Sequence, residues 1–161
     1  MEYKIQHINE ALRKQVVELI TQQWGSPKIV SRGHIHYMNQ LPGFVAIKDN
    51  GIIGLLTYHI AGDQCEIVSL DSLEKNRGLG SQLIKGVEKI AREKKCKRIW
   101  LITTNDNIRA IKFYQKRGYD LVALHQKAVE YARKIKPEIP LTGYEGIPIQ
   151  HELEFEKRFK V

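Results

Sequence analysis

The chain has 161 residues, 42% of them hydrophobic and 27% charged, an ordinary balance for one globular domain with its own core. No apolar run approaches the ~20 residues that a membrane span needs, and Met1-Glu2-Tyr3-Lys4 does not read as a secretory leader. The net charge of +8 sits entirely in the second half: residues 1–80 carry eight basic and eight acidic side chains, residues 81–161 eighteen against ten.

We therefore read 1–161 as a single domain, with no membrane partner. The basic half would attract a polyanionic ligand. No interleaved stacking aromatics support an RNA platform, so nucleic acid is not expected, and a solvated basic surface accounts for the charge equally well. Cys65 and Cys96 have neither metal-ligand spacing nor a disulfide framework, which points to a reducing cytoplasm. No metal site is expected.

In chain order, Tyr3 to Ile8 alternates and predicts a first strand at or near a sheet edge. Asn9 caps a helix whose buried stripe is Ala11, Leu12, Val16, Leu19 and Ile20, running to about Gln23. Trp24 to Gln40 reads as irregular, broken by Gly25, Pro27 and Gly33. His34 and His36 lack a third ligand and read as packing or surface histidines. Gly43–Lys48 and Ile52–Ala61 are strands joined by Asp49-Asn50-Gly51, a strong hairpin signal. After Gly62-Asp63-Gln64, a strand starts at Cys65, with Val68 and Leu70 alternating with Ser69 and Asp71.

That strand runs into Glu74-Lys75-Asn76-Arg77-Gly78-Leu79-Gly80, and then Leu83, Ile84, Val87, Ile90 and Ala91 recur at helical spacing. A strand, a glycine-bearing loop and a helix start form an anion site. The first-turn N–H groups have no intrahelical partner, the helix dipole is positive there, and glycines let the backbone approach a ligand. A phosphate or pyrophosphate is the natural guest. The spacing fits neither a Walker A loop nor a dinucleotide fingerprint, because Leu83 stands where a third glycine is needed. A bare Gly-x-Gly could equally mark a simple helix start.

Residues 97–102 form a short apolar run, as in a buried parallel strand. Asn107 to Gly118 reads as an Asn-started helix closed by a glycine, with Asn107, Ala110 and Tyr114 on one face. Tyr119–His125 is a further strand, and residues 126–136 a helix that stops at Pro137. A long loop follows to Pro148, either a lid or an ordered crossing. Ile149–Phe159 alternates as a half-exposed strand whose Glu152, Glu154 and Glu156 face solvent.

These two stretches together resemble the GNAT superfamily of acetyl-CoA-dependent N-acetyltransferases. Lys75-Asn76-Arg77-Gly78-Leu79-Gly80 is similar to the family's Gln/Arg-x-x-Gly-x-Gly/Ala loop, with Lys75 departing from it. Asn107, Ala110, Phe113, Tyr114, Gly118 and Tyr119 match its second motif at every position. The resemblance implies an α/β (or α+β) fold: one mixed sheet of about seven strands, an antiparallel N-terminal meander and a parallel central pair, flanked by four to five helices. It implies acetyl-CoA as cosubstrate and direct transfer to a primary amine of a small molecule or peptide, without an acyl-enzyme, so neither cysteine is a nucleophile. It also allows a homodimer.

By the same resemblance, backbone amides of Leu70 and Ser72, flanking Asp71, hold the pantetheine arm, and an amide near Leu70 polarises the thioester carbonyl. Amides of Lys75, Asn76, Arg77, Gly78, Leu79, Gly80 and Ser81 hold the pyrophosphate. Asn107, Ala110 and Phe113 border the coenzyme, and Tyr114 is the general acid. Glu66 is the candidate general base, with a chain of waters as the competing arrangement. Asp71, five residues on, is expected on the opposite face of the strand and is set aside as a base. The alternative to an enzyme is a non-catalytic acyl-CoA sensor, or a basic nucleic-acid-binding module, on the same fold.

Overall fold

The computed structural model describes residues 3–72 and 78–160. Nine strands and four helices follow in the order β1 (Lys4–His7), α1 (Glu10–Trp24), β2 (Lys28–Ser31), β3 (His34–Tyr37), β4 (Gly43–Lys48), β5 (Gly51–Ala61), β6 (Gln64–Ser72), α2 (Leu79–Glu93), β7 (Arg98–Thr104), α3 (Ile108–Lys116), β8 (Asp120–His125), α4 (Ala128–Ile135) and β9 (Glu152–Arg158). A 3₁₀ turn at Tyr144–Gly146 interrupts the loop before β9. Seven strands make one sheet in the order β1-β4-β5-β6-β7-β9-β8. Only β6 and β7 pair in parallel; all other neighbours are antiparallel.

Local chemistry sets the element ends. Asn9 accepts a hydrogen bond from the Leu12 N–H at 2.9 Å and starts α1, and Gly25, at φ +83°, ends it. Asp49 and Asn50, both at positive φ, turn β4 into β5. The stretch read from sequence as irregular holds a second sheet, the β2–β3 ribbon, which turns at Arg32-Gly33. Four-residue strands beside Gly25 and Pro27 are too short to show their alternation.

The sheet separates two cores. On one face Leu83 and Val87 of α2 and Tyr114 of α3 pack with Leu56, Ile67, Ile99, Leu101 and Phe155 of the sheet. On the other, α1 lays Val16 and Ile20 against Val45 and Leu55. A buried polar tie joins the first layer to the sheet: Glu88 on α2 accepts from the Tyr119 hydroxyl at 2.8 Å and from Lys157 Nζ at 2.9 Å.

Two features of β6 shape the middle of the sheet. First, its pairing with β7 stops at Ile67↔Leu101, so the strands diverge beyond that point while β6 stays paired to β5 as far as Ser72. Second, the β5 ladder slips once: Tyr58 faces Ile67 and Thr57 faces Ser69, leaving Val68 as an extra residue. The expectation that Glu66 and Asp71 lie on opposite faces is therefore corrected. Glu66, Ser69 and Asp71 stand opposite His59, Thr57 and Leu55, which alternate along β5 and share the α1 face.

Candidate active site

The divergence of β6 and β7 opens a gap in the middle of the sheet, and the expected site residues gather around it. From Val68 onward the β7 side of β6 has no strand partner among the described residues, so an extended chain can lie along it. Leu70 packs towards the α2 layer, and Ser72 is exposed at the strand end.

Lys75, Asn76 and Arg77 lie outside the described residues. Gly78, at φ +88°, precedes Leu79 with no side-chain cap, and a Cβ there would meet nothing within 4 Å. A helix start that is uncapped and open fits a phosphate group. Gly80 serves a different purpose: a Cβ on it would stand 3.0 Å from the Phe113 ring, so its bareness seats α3 against α2. The Ser81 hydroxyl accepts from Arg117 Nε at 2.9 Å, and the Arg117 guanidinium lies 3.6 Å from the Phe113 ring centre. These contacts fix α3, and with it Tyr114, relative to the open helix start.

Asn107 caps α3, its side-chain oxygen accepting from the Ala110 N–H at 3.1 Å. That leaves its amide NH₂ to meet a ligand. Ala110 is partly buried against the α2-side core. Tyr114 is buried among Phe113, Tyr119 and Phe155, with ring centres 5.1, 5.5 and 6.4 Å away. Burial, reinforced by the negative charge of Asp71, pushes the phenol above its ordinary pKa, while Arg117 pulls weakly the other way. Tyr114 is thus protonated at neutral pH and able to donate.

Glu66 is 5% exposed, and both of its oxygens are taken. The Ser31 hydroxyl donates to Oε2 at 2.6 Å, and His36 Nε2 lies 3.1 Å from Oε1. His36 in turn stacks among His34 and His59, with ring centres 4.4 and 5.3 Å away. His36 therefore anchors the β2–β3 ribbon on Glu66. Among the described residues no cluster of three or more His, Cys, Asp or Glu side chains could hold a metal. Cys65 is fully buried, its thiol pushed up to about 12 by burial, which makes it a poor nucleophile.

On the α1 side of the gap lies a cavity of about 740 Å³. Its walls come from Trp24 at the end of α1, Ile29 and Val30 of β2, Val68, and Ile102–Thr104 of β7, with Asn107 beside them. The far side is α4 and the 138–144 segment. Arg133 ties that segment down, donating to the carbonyls of Ile139, Pro140 and Ile149 at 3.2, 2.6 and 2.6 Å. Buried Lys136 donates to the Lys28 carbonyl at 2.8 Å and joins α4 to the ribbon. The acidic groups at this cavity are Asp106, Glu138 and Glu152. Asp106 is taken by the Thr104 hydroxyl and the Tyr144 N–H. Glu152 sits beside Arg32, its carboxyl held above the ordinary range by burial. Glu154 and Glu156 do not face open solvent as expected from their alternation: Arg98 bridges both at 2.8 and 2.9 Å, and His125 meets Glu154 at 2.9 Å.

Known proteins are similar to this chain in sequence and in fold. Over 150 residues the chain is 45% identical to YdhI of Bacillus subtilis (strain 168), an uncharacterized protein, covering 92% of this chain and 94% of that one. It is 51% identical over 131 residues to YxbD of the same organism, also uncharacterized, covering 81% and 82%. The IAA acetyltransferase from Bacillus cereus ATCC 14579 superposes with a TM-score of 0.74 at 16% identity over 98% of this chain and 100% of that one. A GNAT family acetyltransferase from Elizabethkingia anophelis with acetyl-CoA bound does so with a TM-score of 0.71 at 20% identity, covering 98% of each. Residues 11–119 match the acetyltransferase (GNAT) family, and the chain belongs to it as an acyltransferase.

Proposed function

We propose that the protein moves the acetyl group of acetyl-CoA directly to a primary amine while both substrates are bound. The observation that carries this reading is the gap between β6 and β7, which has an open helix start and Tyr114 on one side and a cavity on the other. The pantetheine arm lies along β6 where β7 has left it, beside Leu70 and towards Ser72, and the thioester carbon then sits in the gap. The pyrophosphate rests on the amides of Gly78, Leu79, Gly80 and Ser81. The acceptor enters from the cavity. Its nitrogen attacks the carbonyl carbon, the C–S bond breaks, and the Tyr114 hydroxyl gives its proton to the departing sulfur.

The cavity describes the acceptor. Trp24, Ile29, Val30, Val68 and Ile102 make an apolar wall, while Glu138 and Glu152 bring negative charge. That combination fits a cationic amine on an apolar body, of small-molecule size or a peptide end. A thiol-release screen with acetyl-CoA over aryl-alkyl amines, polyamines, amino sugars and peptide amines tests the reading. The expected result is turnover strongest with amines that carry an apolar group. Tyr114→Phe should lower kcat by about 100-fold or more with the acetyl-CoA affinity kept. An unchanged rate removes the general acid, and acetyl-CoA binding without turnover on any amine favours a sensor.

A further inference from the structure

Because both Glu66 oxygens are engaged under the ribbon, the amine proton needs another acceptor. We infer that Asp71 is a catalytic carboxylate: it faces the gap from the α1 side and takes the proton from the attacking amine. The inference rests on the acetyl-transfer reading above and adds the residue that completes its proton cycle.

Three observations carry it. The extra residue at Val68 brings Asp71 onto the same face as Glu66, opposite Leu55, on the side of the sheet that holds the cavity. Asp71 Oδ2 is the one buried side-chain polar atom among the described residues that makes no hydrogen bond. A buried carboxylate oxygen without a donor is costly, and such atoms persist where a ligand or a reacting group satisfies them. Finally, Asp71 lies between the two sides of the reaction. The Trp24 side chain, which lines the cavity, donates towards it, and its charge reaches the Tyr114 phenol from the opposite layer. That influence crosses the sheet where β7 has already diverged from β6.

The acceptor binds as an ammonium and gives one proton to solvent on becoming neutral; from there the protons balance with these two groups alone. A neutral amine attacks the thioester carbon, and the new C–N bond leaves an excess proton on nitrogen, which passes to Asp71. The C–S bond breaks, and Tyr114 protonates the sulfur. Asp71 then returns its proton to the Tyr114 oxygen, directly or through one water, and both groups are reset. Burial pushes Asp71 up to about 6, which suits a base working near neutrality. Other charged groups facing this region are Arg117, which acts on the Tyr114 phenol, and, at the cavity, Asp106, Glu138, Glu152 and Lys136.

The test pairs kinetics with a direct titration. Asp71→Asn keeps the shape, and its acetyl-CoA affinity should stay within about threefold of wild type. With the best amine from the screen, kcat/KM should fall by about 100-fold or more. The limb of the wild-type pH profile that rises through about pH 6 should be absent. Retention of the rate within about threefold overturns the inference. Independently of any acceptor, the ¹³C carboxyl resonance missing from the Asp71→Asn spectrum should titrate near pH 6 in the wild-type protein, and an ordinary value below about 4.5 overturns it. A wild-type protein that acetylates none of the amines sinks the proposed function, and the Asp71 assignment then stands or falls on that titration. If the Asn variant fails to fold, the same titration in wild type decides, with the resonance assigned through the backbone.

Discussion

The Ser31 hydroxyl donates to Glu66 Oε2 at 2.6 Å, and this one bond fastens a two-stranded ribbon to the main sheet through a buried carboxylate. Ser31→Ala leaves that oxygen short of a donor. We expect a loss of about 1 to 3 kcal/mol in urea unfolding. Amide exchange should accelerate first in the ribbon, which loses its buried hydroxyl tie and keeps His36 on Glu66, Arg32 on Glu152 and the Lys28 contacts to the end of α4.

Asp71 should cost the protein stability at neutral pH. Its folded value near 6 lies above the ordinary 3.8, so the folded state prefers the protonated form. The stabilisation from that proton is full below about pH 4 and is lost as the pH rises through about 6. Asp71→Asn should therefore raise the unfolding free energy by about 1 to 3 kcal/mol at pH 7.5. The gain should fall to about a third of that at pH 4.5. Urea titrations at the two values give the difference, and an equal gain at both would contradict the sign.

Gly78 and Gly80 should separate cleanly. Gly80→Ala drives a methyl into the Phe113 ring and should destabilise by about 1 to 3 kcal/mol through the α2–α3 contact. Gly78→Ala has space for the methyl but a positive φ, so about 1 kcal/mol of strain is expected. Gly78→Asp adds a negative charge at the helix start and should weaken acetyl-CoA binding by about tenfold or more. Calorimetric titration with acetyl-CoA distinguishes the two positions.

Arg133 should govern the acceptor and not the coenzyme. Two of its bonds hold the 138–144 segment against the cavity and a third reaches the Ile149 carbonyl. Arg133→Lys loses the forked geometry and about 1 to 2 kcal/mol of ordering, hence about five- to thirtyfold in KM for the amine. The acetyl-CoA affinity should not change, and chymotrypsin should cut that loop sooner, at Leu141 or Tyr144.

Much of the fold is legible in the residues. The 3.6-residue stripes give α1, α2 and α3, the Asp-Asn-Gly turn gives the meander, and the two motifs give the family and its parallel pair. Three things are not. The ribbon's strands are too short for alternation to speak, and they persist because Ser31, His36 and Lys136 anchor them from outside. His36 carries no third ligand in its neighbourhood in sequence, so its bond to Glu66 is invisible until β3 lands over β6. The side of Asp71 is misjudged from alternation because a period of two holds only along an unbroken ladder, and one extra residue breaks it. Lys75, Asn76 and Arg77 lie outside the described residues, so what is expected of them rests on the motif alone.

The slip at Val68 also says how this site tolerates change in chain length. Removing that single residue would let β5 and β6 pair without a slip, and Ser69, Leu70 and Asp71 would keep the partners and the faces they have now. What would go is the bend that the extra residue puts into β6, and the Val68 side chain at the amine cavity. A one-codon deletion of Val68 should thus be tolerated by the fold and show itself in KM for the amine, with Leu70 and Asp71 still on their own sides of the sheet.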